Sequence, residues 1–135
     1  MKVIKLNEKY IENLRVMRNE NSQWFFDNRS ITPEEQQKWY ESIKINKKVK
    51  FYIIKIDNQV AGALSLTATK EGIEVGNIIL DKNFRGKGIM TEAINKLVKN
   101  KKGKFYARIL LENFNSQNLF ERCGFKKTAY IVELK

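Results

Sequence analysis

Leu80-Asp81-Lys82-Asn83-Phe84-Arg85-Gly86-Lys87-Gly88-Ile89-Met90 joins an apolar run to an amphipathic stretch through a basic turn that carries two glycines. Ahead of it, Ile73-Glu74-Val75-Gly76-Asn77-Ile78-Ile79-Leu80 is rich in β-branched residues and predicts a strand. Behind it, Ile89, Met90, Ala93, Ile94, Leu97 and Val98 recur at helical spacing. Gly86 and Gly88 carry no Cβ, so the backbone there can adopt unusual angles and approach a ligand closely. The free N–H groups of the helix start would then face that ligand, and the helix dipole favours a negative one. Arg85 and Lys87 add charged donors. The stretch therefore reads as an anion cradle, or as an ordinary strand-to-helix turn built from common loop residues. It is neither a G-x-G-x-x-G dinucleotide loop nor a G-x-x-x-x-G-K-[ST] loop.

A chain of 135 residues predicts one domain, residues 1–135, with enough apolar content, 42%, for a continuous core. No run is long enough to span a bilayer, and the N-terminus lacks a signal-peptide pattern, so the expectation is a cytoplasmic protein without a membrane partner. Cys123 is the single cysteine, which excludes an internal disulfide and fits a reducing compartment. The absence of histidine eliminates Ser-His and Cys-His catalysis and argues against a metal site. A net charge of +11 points to anionic partners, among them nucleic acid or a phosphorylated small molecule, or serves solubility alone.

Taken from the N-terminus, Lys2–Leu6 predicts a strand, and Asn7 caps a helix with Tyr10, Ile11, Leu14 and Met17 on its apolar stripe. Polar residues around Trp24-Phe25-Phe26 interrupt the pattern. Thr32-Pro33-Glu34-Glu35 restarts a helix with a capping box and a first-turn proline; it runs to about Asn46 with Trp39, Tyr40 and Ile43 inward. Phe51–Ile56 and Val60–Thr67 flank Asp57-Asn58-Gln59 as a hairpin, and Lys70-Glu71-Gly72 turns into the strand that ends at Leu80. Gly103 stops the central helix, Phe105–Leu110 predicts a strand, Ser116–Arg122 a short helix, and Phe125–Leu134 one or two final strands.

Arg85-Gly86-Lys87-Gly88-Ile89-Met90 resembles the Gln/Arg-x-x-Gly-x-Gly/Ala signature of the GNAT superfamily of acyl-CoA-dependent N-acyltransferases, with Met90 in place of the last small residue. Glu112 to Phe125 is similar to the family's second block, roughly N-x-x-[AS]-x-x-L-Y-E-x-x-G-F. The order β-α-α-β-β-β-α-β-α-β-β agrees with that family. The resemblance implies an α/β (α+β) domain with a mixed, mostly antiparallel sheet, helices on both faces, and a splayed parallel strand pair that holds acetyl-CoA as cosubstrate. It implies cofactor contacts at Ile78, Ile79, Leu80, Arg85, Gly86, Lys87, Gly88, Ile89, Met90, Asn113, Ser116 and Phe120. Asn113 and Ser116 have an alternative role in capping the short helix. The lysines at 96, 99, 101, 102 and 104 either attract the cofactor's 3′-phosphate or complement the helix dipole.

Glu74, eleven residues before Arg85, lies where the histone acetyltransferase branch of the family keeps its base, and is the candidate catalytic residue. Phe120 stands where the family often has a tyrosine acid and has no proton to give; Tyr106 and Tyr130 are alternative donors or simple strand aromatics. Cys123 is expected to be a small core residue.

The N-terminal half looks similar to bacterial N-acetyltransferases acting on nucleotide-linked amino sugars, including those of the pseudaminic acid pathway. That likeness implies an acceptor site of Arg18, Asn19, Trp24, Phe25, Phe26 and Arg29, with an aromatic stacked on a uracil or sugar and the arginines near a diphosphate. The aromatic trio equally fits a plug beneath a loop. Alternatives are an acetyltransferase for protein N-termini or polyamines, the latter disfavoured by the positive charge, and a non-catalytic nucleic-acid-binding module, for which no recognition motif is present. A homodimer is compatible with the sequence.

Overall fold

The computed structural model describes residues 1–99 and 101–135. Its elements are β1 (Lys2–Lys5), α1 (Ile11–Glu20), α2 (Pro33–Ile45), β2 (Val49–Ile56), β3 (Gln59–Thr69), β4 (Gly72–Leu80), α3 (Ile89–Val98), β5 (Phe105–Tyr106) and α4 (Phe114–Arg122). The five strands form one sheet in chain order, antiparallel from β1 to β4 and parallel between β4 and β5. Alternation in β2 sends Tyr52 and Ile54 to one face, where α3 and α4 pack through Ile89, Met90, Ala93, Ile94, Leu97, Leu119 and Phe120. Phe51 and Ile53 point to the other face, against Tyr10, Leu14 and Met17 of the N-terminal helical region and Trp39 and Ile43 of α2. Helices thus cover both faces, as expected.

The local signals explain most boundaries. Thr32 accepts from Glu35 N–H while the Glu35 carboxylate accepts from Thr32 N–H, completing the capping box with Pro33 in the first turn. Asn7 caps not α1 itself but a single 3₁₀ turn, Glu8–Tyr10, that leads into it. Trp39 meets Phe51 edge to face with centroids 5.0 Å apart, fixing α2 on β2.

Two expectations fail. The strand expected over Phe105–Leu110 is only Phe105–Tyr106, and the residues from Phe125 onward form no strand. Beyond Tyr106 this edge of the sheet diverges from β4 and gains no ladder partner among the described residues. The tail's β-branched and aromatic residues remain solvated, with Tyr130, Ile131, Val132 and Leu134 all exposed, so strand propensity there lacks the pairing and packing that would realise it.

One feature had no anticipated counterpart. Ala63 pairs with Ile79 and Ser65 with Gly76, so two residues of β4, Asn77 and Ile78, oppose the single Leu64. This is a β-bulge, and Asn77 takes a φ of +51° within it. The buried Ser65 hydroxyl locks the bulge by donating to Gly76 O at 3.2 Å and accepting from Asn77 Nδ2 at 2.8 Å. The extra residue reverses the alternation, so Val75, Ile78 and Leu80 share the α3 face while Ile79 enters the core on the α1 face.

Close strand approach beside the bulge requires Gly62: a Cβ there would lie 2.4 Å from Ile79 O and 3.3 Å from Leu80 Cα. Gly62→Ala is expected to destabilise the protein by about 1–3 kcal/mol, read as a lower urea midpoint at unchanged slope.

Candidate active site

Parallel pairing between β4 and β5 comprises Ile73↔Phe105 and Glu74↔Tyr106 and then stops. From Val75 to Leu80 the β5-facing edge of β4 makes no backbone hydrogen bond to the chain after Tyr106 among the described residues. The β5-side edge of β4 is therefore unpaired from beside Glu74 to the end of the strand among the described residues. Ile78, Ile79 and Leu80 lie along it, with Ile79 buried on the α1 side.

At the end of β4, Asp81 caps a 3₁₀ turn over Lys82–Phe84 by accepting from Asn83 N–H at 2.8 Å. Gly86 and Gly88 then adopt φ of +75° and +72°, the left-handed region where a Cβ is costly. Nothing lies within 4 Å of a Cβ built at either glycine, so backbone angle rather than crowding demands them, and the space above is open. Gly88 is the N-cap of α3 and offers no side-chain cap. The first intrahelical bond runs from Glu92 N–H to Gly88 O, leaving the N–H groups of the first turn without helical acceptors. Ile89 and Met90 are both buried, and the Met90 side chain joins the core beneath α3. Lys87 extends its ammonium over the Phe84 ring at 5.8 Å.

The Arg85 side chain turns away from the cradle. It donates from Nε to Leu80 O at 3.3 Å and from an η nitrogen to Asn21 Oδ1 at 2.7 Å, tying the loop after α1 to the end of β4. Asn21 also donates to Met17 O at 2.8 Å. Asn19 uses both ends of its amide on one backbone, donating to Ile31 O at 2.9 Å and accepting from Ile31 N–H at 2.8 Å, so its immediate role is to fasten the loop before α2.

The aromatic trio divides. Phe25 packs against the core and lies 4.1 Å from the Arg18 guanidinium, whereas Trp24 and Phe26 are 40% and 60% exposed. Arg18 also donates to Asp27 O, and partial burial pushes its pKa down. Arg29 is engaged by Asp27 through two side-chain bonds of 3.0 Å, which hold the Asp27 carboxyl down at about 2.

Arg108 joins the other side of the trio to the candidate base. Its Nε donates to Glu74 Oε2 at 2.7 Å and its guanidinium lies 5.2 Å from the Phe26 ring; the Glu74 bond pushes the Arg108 pKa up. Arg108 lies two residues beyond β5, and the sequence carried no signal for its contact with Glu74. Beside it, Tyr106 shares a 2.7 Å hydrogen bond with Thr69 Oγ1.

On the α4 side, Asn113 Oδ1 accepts from Ser116 N–H at 3.1 Å and caps the helix. Phe120 is buried and meets Phe125 edge to face at 4.9 Å, supporting α4 from the core rather than presenting a group to solvent. Burial pushes the Cys123 thiol up, which keeps it protonated. Between α3 and α4 runs a groove of about 510 Å³, from Gly88 past Thr91 and Asn95 to Lys96, Lys99 and Arg122. Among the described residues no group of His, Cys, Asp and Glu is arranged to hold a metal ion, and no helix is long and apolar enough to cross a membrane.

A sheet whose parallel pair opens toward a glycine turn and a bare helix start is the scaffold of an acyl-CoA-dependent transferase. The Acetyltransferase (GNAT) family profile matches residues 14–125, and the chain belongs to that family, whose acyl donor is acetyl-CoA. Among solved structures it is similar to a spermidine N-acetyltransferase from Vibrio cholerae in complex with CoA and spermine, at 19% identity and TM-score 0.83 over 98% of this chain and 85% of that one. It is similar also to the microcin C7 self-immunity acetyltransferase MccE in complex with acetyl-CoA and AMP, at 26% identity and TM-score 0.76 over 92% and 78%. A ribosomal-protein-alanine N-acetyltransferase from Brucella melitensis matches at 18% identity and TM-score 0.77 over 96% and 86%. No curated protein sequence matches.

Proposed function

We propose that this acetyltransferase acts on the primary amine of a nucleotide-linked amino sugar, by direct attack on acetyl-CoA. The observation that carries the reading is the chain Phe26–Arg108–Glu74: an exposed aromatic ring and the candidate base are joined by one guanidinium. An exposed ring beside a cation fits the flat, anionic end of a nucleotide sugar. Arg18, Asn19, Trp24, Phe25 and Arg29 shape the loop that carries that ring. The free edge of β4 at Ile78, Ile79 and Leu80 suits the pantetheine arm as an added strand. The glycine turn and the first N–H groups of α3 suit the pyrophosphate, and the basic groove toward Lys96, Lys99 and Arg122 suits the nucleotide end of the cofactor.

Glu74, directly or through a water, removes the proton that keeps the acceptor an ammonium. The amine nitrogen then attacks the thioester carbonyl carbon and the C–S bond breaks. The second proton lost from nitrogen reaches the thiolate through solvent, since Phe120 offers none and the Tyr106 hydroxyl is already engaged by Thr69. Backbone N–H groups near Leu80 then polarise the thioester carbonyl.

A second reading, a polyamine acceptor, draws on the spermidine N-acetyltransferase likeness and on a hollow of about 270 Å³ that includes Glu12, Glu20 and Asp81. Glu12 is already paired with Arg15, and Asp81 lies roughly 20 Å along β4 from Glu74 at about 3.3 Å per residue. Both facts favour the amino-sugar acceptor.

Free-thiol release from acetyl-CoA, measured with UDP-linked 4-amino sugars, N-terminal peptides and polyamines, is expected with the amino sugars; release with polyamines or peptides alone overturns the acceptor assignment. Gly88→Asp, which places a carboxylate in the cradle, is expected to weaken acetyl-CoA binding by tenfold or more, roughly 1.4 kcal/mol, and unchanged affinity by calorimetry removes the cradle from the cofactor site. Glu74→Gln is expected to lower kcat by about a hundredfold while sparing acetyl-CoA affinity; a pH–rate profile identical to that of the parent enzyme excludes Glu74 as the base.

A further inference from the structure

Arg18, Arg29, Arg85 and Arg108 lie on α1, on the loop that follows it, and near the two ends of the free edge of β4, and the first three each place at least one η nitrogen on a protein acceptor. Arg29 places Nε and an η nitrogen on Asp27. Arg18 is stacked against Phe25 and donates to Asp27 O. Arg85 spans Leu80 O and Asn21 Oδ1. Arg108 differs from all three. Only its Nε is used, on Glu74, and neither η nitrogen hydrogen-bonds another described residue. Its side chain is 53% exposed, whereas that of Glu74 is 17% exposed, so the guanidinium covers the carboxylate and turns its outer edge to solvent. Phe26 packs on the guanidinium 5.2 Å away and restrains its plane.

A planar fork with two free η nitrogens, held in place by an ion pair behind and a ring on its face, matches the bidentate geometry of an oxyanion. It also sits directly against the candidate base. We infer that Arg108 selects the acceptor by binding a phosphate or carboxylate oxyanion on its η nitrogens, so that this site takes amines that carry a negative group and repels polycationic ones. The inference rests on the amino-sugar reading and moves the anion contact from Arg18 and Arg29 to Arg108. The arrangement serves both ends of the reaction: the oxyanion anchors the acceptor on the outer edge of the guanidinium, while Glu74 holds the inner edge through Oε2 and keeps Oε1 for the amine. A cationic acceptor would meet the outer edge of the guanidinium before it reached the carboxylate paired with it.

The test uses inorganic pyrophosphate and UDP as probes, titrated calorimetrically into the full chain with and without saturating CoA. Arg108→Gln is expected to weaken both probes by tenfold or more in the CoA-loaded protein, while the rise in melting temperature caused by acetyl-CoA stays unchanged. Arg108→Lys, which keeps the charge but loses the fork, is expected to recover less than half of that loss in free energy. In turnover, Arg108→Gln is expected to raise KM for a UDP-linked amino sugar by a factor at least tenfold greater than the factor by which it changes KM for the corresponding free amino sugar. Equal probe affinity in Arg108→Gln and parent, or an equal rise in KM for both acceptors, overturns the inference. If acetyl-CoA fails to stabilise the parent protein, the acetyltransferase site assignment falls; the dependence of pyrophosphate binding on Arg108 is still read directly from the titrations without CoA, and decides this inference separately.

Discussion

The bulge in β4 is the constraint on which the site depends. One extra residue at Asn77, pinned by the buried Ser65 hydroxyl, reverses the alternation of the strand and inserts Ile79 into the core on the α1 face. With Ile79 anchored on one side and Ile78 and Leu80 on the other, the last turn of the strand is gripped from both faces while its free edge remains unpaired. A bulged strand twists more strongly than a regular one, and past Glu74 β4 and β5 no longer pair. The free edge of β4 thus leads from Glu74 through the bulge to the glycine turn that starts α3.

The loop after α1 makes contacts near both ends of that free edge. Asn21 accepts from Arg85 beside the cradle, and Phe26 packs on Arg108 beside Glu74. Along the same loop, Phe25 enters the core, and Asp27 gathers Arg29 while its backbone takes Arg18. Much of the positive charge around the loop is therefore spent locally. A chain with a net charge of +11 need not present a uniform basic surface; which arginines remain available to a ligand depends on their internal partners.

The family's frequent tyrosine is replaced by Phe120, and the structure explains why the substitution is tolerated. The ring fills a core position beneath α4 against Phe125, so the helix keeps its seat although the hydroxyl is gone. Packing and chemistry at this position are separable. The fold keeps this seat for a ring without a hydroxyl.

Sequence alone determined the elements whose signals are local. The capping box at Thr32, the period of α3, the hairpin turn, and the two left-handed glycines each depend on residues within a few positions of one another. The two-faced architecture and the family were legible for the same reason. Tertiary structure decided what depends on partners distant in the chain. The bulge was hidden because its lock, Ser65, lies on a neighbouring strand. The strands expected after Tyr106 did not form because strand propensity is realised only by pairing, and no partner strand lies there among the described residues. Arg108 gained its place because β5 brings it to Glu74, 34 residues earlier, and to a ring 82 residues earlier. Periodicity and caps are properties of a short segment of chain, whereas ion pairs and ring contacts across the sheet arise only when the fold closes those distances.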